Sequence, residues 1–156
     1  MSRKVLSQEA HIVSMIAPVG SSTATIDSEV VSMKDASHAT IILTVGVQGG
    51  ASSFTVVEGD DFTPSNEAAI AYRLAKEETT TGDTLGALTA VASTGSVVAA
   101  TDYTIYVIEV DSEDLSEGYN NIQLKLAALD NTTYVSAICI LTGLCYQGDE
   151  TRTQII

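Results

Sequence analysis

Apolar residues along this chain recur mostly at every second position, the period of a half-buried strand. Across residues 40–47, Ile41, Leu43, Val45 and Val47 fall on one face, and Thr40, Ile42 and Thr44 fall on the other. The segment is rich in β-branched residues, which suits a pleated surface. Gln48-Gly49-Gly50-Ala51 then supplies a turn before Phe54-Thr55-Val56-Val57-Glu58, and the pair predicts a β-hairpin. Tyr103 to Val110 is apolar on both faces except at Glu109, which predicts a central strand. Ile122, Leu124 and Leu126 alternate with Gln123 and Lys125. An Asp130-Asn131 turn leads into Tyr134 to Leu144, the last and most apolar segment. Weaker strands are expected at 30–33, 85–92 and 97–99, the last two separated by Ser93-Thr94-Gly95-Ser96.

Residues 67–78 carry two patterns. Thr63-Pro64 could open a helix, and the segment holds good helix formers. Against that, Ile70, Tyr72 and Leu74 alternate with Ala71, Arg73 and Ala75, and the strand reading is consistent with the rest of the chain. Near the start, Ile12, Val13, Met15 and Ile16 are apolar, but Pro18 and Gly20 are expected to stop any regular element. With about eight or nine short strands, the prediction is an all-β, single-domain, jelly-roll-like β-sandwich. Its expected parts are an extended N-terminal arm over 1–20, a sandwich over 21–147 and a polar tail over 148–156.

Charge narrows the partners. The 156 residues include 20 Asp and Glu against 7 Lys and Arg, a net charge of −13. The cations are dispersed, so nucleic acid and anionic membrane surfaces are not expected partners. No apolar run approaches the ~20 residues of a membrane-spanning helix. The N-terminus starts with bases, but Gln8, Glu9 and His11 interrupt the apolar stretch after them, so export through a secretion signal is not expected. Charged residues make up only 17% of the chain, which points to a surface that self-associates or docks on something.

Candidate chemistry is thin. Cys139 and Cys145 are the only thiols; on one straight strand they would lie about 20 Å apart, too far to bridge. Two buried free cysteines are expected, with a bridge left open if Gly143 bends the chain. No Cys/His cluster has zinc spacing, and no metal or cofactor is expected. Asp111 to Glu117 and the trio Glu58, Asp60 and Asp61 are acidic, but Leu115 stands where a calcium loop would need an oxygen. Glu109 and Asp111 share one face of a strand, yet nothing supplies an aromatic sugar platform beside them. His11 and His38 lack a nucleophile in a recognisable motif. No catalytic residue is assigned, and a non-enzymatic protein is expected. The apolar residues near the termini, Val5, Leu6, Ile12, Val13, Ile16, Ile155 and Ile156, are the candidate assembly contacts, since arms that reach into a neighbour are a low-cost route to oligomers.

Three phrases carry a resemblance: Val31-Ser32-Met33-Lys34-Asp35-Ala36-Ser37-His38-Ala39-Thr40-Ile41-Ile42; Tyr106-Val107-Ile108-Glu109-Val110-Asp111 with Leu115; and Tyr119-Asn120-Asn121-Ile122-Gln123-Leu124. Together, over residues 30–150, they resemble the small β-rich virion structural proteins of tailed bacteriophages. The resemblance implies a β-sandwich made in the host cytoplasm and residing in the virion. It supports strand over helix at 68–77 and transfers no active-site residue. The function it implies is a capsid decoration or cement protein. Such a protein would bind the outer surface of the major capsid lattice, act as a dimer or trimer, and stabilise the head. A tail, neck or head-fibre component and a carbohydrate-binding adsorption module are the alternatives.

Overall fold

Two-residue periodicity dominates because alternate side chains of a strand face opposite sides of a sheet, and burial along the chain follows that period. In the computed structural model, which describes residues 5–20, 24–77, 84–98, 103–129 and 133–145, a single helical turn α1 (Leu6–Glu9) precedes twelve strands. These are β1 (His11–Gly20), β2 (Ile26–Asp27), β3 (Val31–Ser32), β4 (His38–Val45), β5 (Ser52–Gly59) and β6 (Glu67–Ile70). The rest are β7 (Tyr72–Lys76), β8 (Thr89–Val91), β9 (Ser96–Val98), β10 (Thr104–Asp111), β11 (Asn121–Leu126) and β12 (Tyr134–Thr142). A 3-10 turn, Ser112–Asp114, follows β10.

The strands form two antiparallel sheets. Sheet A runs β1-β12-β4-β10-β7-β8. Sheet B runs β2-β11-β5-β6, with β3 also on β11 and β9 on β5. Inward residues of both sheets make one core, in which Phe54 of sheet B stacks on Tyr72 and meets Tyr106 of sheet A edge-on at a centroid distance of 5.4 Å. Strand β10 lies between β4 and β7, the central place expected from its two apolar faces. The ambiguous 67–78 stretch is strand: β6 and β7 are separated by Ala71 alone, and the chain passes there from sheet B to sheet A.

The expected hairpin at 40–58 is not formed. Strand β4 pairs with β10 and β12 in sheet A, whereas β5 pairs with β11, β6 and β9 in sheet B. The Gly-rich segment between them crosses from one sheet to the other and is pinned by Thr133, whose hydroxyl lies 2.8 Å from the Val47 carbonyl and 2.6 Å from Gln48 Oε1. Turn composition marks a change of direction but not the partner of the next strand.

The expected arm is also corrected over 11–20, where β1 is the edge strand of sheet A and pairs with β12. Pro18 does not end it, because proline is tolerated on an edge at a bulge, and the register shifts between Ile16 and Val19. A second shift, between Ser14 and Ile16, leaves Met15 as an extra residue. That bulge lets consecutive residues Met15 and Ile16 both turn inward. It also frees the Met15 carbonyl to accept the Glu29 N–H at 2.9 Å, tying the edge of sheet A to the segment between β2 and β3. The tail at 148–156 lies outside the described residues.

Candidate functional site

The densest polar constellation sits at one end of the outer face of sheet A. His38 and Thr40 project from β4, and Glu109 and Asp111 project from the neighbouring β10. The ladder sets His38 opposite Asp111 and Thr40 opposite Glu109. Arg73 of β7 is opposite Glu109 on the other side. His38 Nδ1 lies 2.6 Å from Asp111 Oδ1, and Nε2 lies 2.6 Å from Glu109 Oε2. Thr40 Oγ1 donates to the same Glu109 oxygen at 2.7 Å, and Arg73 donates to Asp111 Oδ2.

Carboxylates only accept hydrogen bonds, so an imidazole held between two of them donates from both nitrogens and is an imidazolium. Burial pushes the His38 pKa down and is the largest single influence, but the hydrogen bonds to Asp111 and Glu109, with their charges, together raise it above its ordinary value. The His38 hydrogen bond, helped by the Arg73 charge and opposed by burial, holds the Asp111 carboxyl below its ordinary value. Both ring nitrogens are occupied, leaving none to take a proton from a substrate. The arrangement clamps β4, β10 and β7 together. The sequence placed Glu109 and Asp111 on one face and found no nucleophile beside His38, but it gave no sign that the three meet or that Thr40 and Arg73 join them. The i, i+2 spacing of His38 with Thr40 and of Glu109 with Asp111 was visible; the register that joins the pairs was not.

Beyond this clamp, the same face is mainly apolar, with Ser14, Thr44 and Ser136 as its small polar residues. Ile140 of β12 lies opposite Ile12 of β1, Ile138 lies opposite Ile42 of β4, and Ile42 lies opposite Val107 of β10. Ile12, Ile138 and Ile105 are 50%, 40% and 39% exposed, and Tyr134 at the far end is 72% exposed. The outer face of sheet B is different: it carries Asp27, Gln123, Thr55 and an ion pair between Lys125 and Glu67.

The acidic groups divide. Glu58 is almost fully buried on the core side of β5, where its carboxylate accepts the Ser116 N–H at 2.7 Å and the Ser116 hydroxyl at 2.6 Å. It therefore anchors the acidic loop after β10 and does not join Glu109 and Asp111. Asp60 accepts from Asn66 and Asp61 accepts from the Thr63 N–H, so each closes its own turn. Asp111 and Asp114 form a capping box on the 3-10 turn. Among the described residues no cluster of three or more His, Cys, Asp or Glu is arranged to hold a metal ion. Both cysteines are free; Cys139 is buried, as expected, while Cys145 is exposed, a correction that follows from the bend at Gly143 (φ 62°). Burial pushes the Cys139 thiol up to about 12, which leaves it inert.

The candidate assembly contacts part company. Val5, Leu6 and Ile12 are exposed. Val13 and Ile16 are 4% and 6% exposed and belong to the core, because the bulged β1 turns them inward; they are not available to a neighbour. Ile155 and Ile156 lie outside the described residues. No helix among the described residues is long and apolar enough to cross a membrane.

No family model matches the chain, and no curated protein matches it. The fold is similar to that in the crystal structure of the SPBc2 prophage-derived protein YomS, with a TM-score of 0.51 and 11% sequence identity over 86% of this chain and 94% of that one. At that identity the likeness is one of fold: an all-β chain of two antiparallel sheets.

Proposed function

We propose that this protein is a non-enzymatic structural component of a phage particle, a decoration or cement protein seated on the outside of the major capsid lattice. Strand order carries the reading. Sheet A contains the run β1-β12-β4-β10 and sheet B the run β2-β11-β5-β6. With β3 and β7 to β9 set aside, we read these runs as jelly-roll-like, an architecture shared by viral capsid and lectin domains. The fold likeness to a prophage-derived protein supports a phage setting, and a fold alone does not set a function. An apolar sheet face on an otherwise acidic chain supports docking, and the commitment of both His38 nitrogens supports a role without catalysis. The virion location and the capsid partner are parts of the same proposal. Residues Val5 and Leu6, exposed ahead of β1, are the side chains offered to the lattice.

Gold-labelled antibody on purified particles tests this. Dense, even labelling of heads, at a copy number comparable with the major capsid protein, is expected. A Val5→Asp/Leu6→Asp double variant should fold but lose that labelling. Labelling confined to the tail or to one vertex would replace the cement reading with a tail or neck component. Unlabelled particles would remove the virion reading.

A further inference from the structure

The outer face of sheet A combines three properties that point to a particular occupant. Its middle is mainly apolar: Ile138, Ile42 and Val107 form one rung across β12, β4 and β10, Ile12 and Ile140 form part of the next, and Ile105 is the next outward residue along β10, with Ser14, Ser136 and Thr44 set between them. Unpartnered apolar area of this kind marks a binding surface. A stable interface takes ~800 Å2 from each partner, and exposed Ile12, Ile138, Ile105 and Tyr134 supply apolar area toward it.

The second property is charge. On β1, β12, β4 and β10, the outward-facing ionisable side chains are His38, Glu109 and Asp111, and Arg73 of β7 completes their network. Two positive groups meet two negative ones, so this face is neutral on a chain whose net charge, with histidines counted as neutral, is −13. Two copies meeting elsewhere on an acidic surface would set carboxylate against carboxylate. Two copies meeting here would not, and like-charge repulsion is a strong selector against the wrong contact.

The third property is position. The polar clamp lies at one end of the patch, where its side chains keep 21–43% of their exposure. A two-fold contact centred on Ile138 and Ile42 leaves both copies of the clamp at the margin, giving an apolar centre with a polar rim.

We infer that this face is a two-fold interface between two copies of the chain, joined sheet to sheet. The inference goes beyond the proposed place in the particle, and it is tested without particles. Sedimentation of the purified full chain over a concentration series reads it directly. The wild type should approach twice 16.3 kDa. Ile138→Asp, which puts an uncompensated carboxylate at the centre of the contact, should raise the dimer dissociation constant by at least about tenfold with unchanged circular dichroism. Val97→Asp, at an exposed position of β9 in sheet B, should dimerise as the wild type does. Three outcomes each overturn the interface: a wild type that stays monomeric throughout, an Ile138→Asp chain that dimerises equally well, or a trimer. A dimer whose particles show no head labelling would instead sink the capsid reading alone.

Discussion

His38 stands at the junction of three strands, and its protonation state is part of the fold. Its pKa is raised, so its contribution to stability is fully present below the unfolded value of 6.5 and is lost as pH rises through the folded value. Asp111 has the opposite sign: its contribution is present above 3.8 and is lost as pH falls through its lowered folded value. Both operate together between about pH 4 and pH 6.5. Thermal melts of the wild type and of His38→Gln should therefore differ most in that window and draw together as pH rises above it; a gap that is constant with pH would contradict the imidazolium assignment. Thiol chemistry gives a second expectation at this scale. Exposed Cys145 should react with a thiol reagent in the native protein, and buried Cys139 only on unfolding, giving one fast and one slow equivalent. Gly143 is the residue that separates their fates: at its φ of 62° an added Cβ would also overlap Ser37 Oγ, so Gly143→Ala should lower stability by roughly 1–3 kcal/mol in denaturant titration.

At the scale of elements, β1 shows how much the sequence could say. Val13, Ser14 and Met15 alternate as in a strand, but Ile12 and Ile16 on either side break the period and Pro18 and Gly20 come soon after. Two irregularities in the ladder absorb these residues, and bulges have no compositional mark strong enough to separate such a strand from an arm. Central strands such as β10 and β12 were legible because their long apolar runs satisfy the period without irregularity. Sheet membership was not legible for β4 and β5, since it is decided by partners far along the chain: β10 and β12 for one, β11 for the other. The clamp at His38 was hidden for the same reason, with His38 and Glu109 lying 71 positions apart along the chain. The corrected role of β1 has a measurable consequence. Ile16→Ala should destabilise the protein by roughly 2–4 kcal/mol as a core truncation, whereas Val19→Ala, exposed on the same strand, should stay within about 0.5 kcal/mol. Equal effects at the two positions would return β1 to the status of an arm.

Across the whole molecule, the two sheets divide the surface chemistry, with apolar side chains and a self-neutralised clamp outside sheet A and a polar face outside sheet B. That asymmetry lets one surface carry associations while the rest of an acidic chain keeps copies soluble. The arrangement of β1 against β12 has a further, mechanical consequence. The two strands run antiparallel, His11 is opposite Leu141 and Gly20 is opposite Tyr134. The backbone thus enters β1 and leaves β12 at the same corner, with hydrogen bonds lying across the direction of the strands. Tension applied at positions 11 and 142 would load those bonds one rung at a time and peel β1 away like a zip. A tether between the same two positions would do the reverse and lock the seam, so the corner that yields first under a pull is also where a single short link would brace the fold.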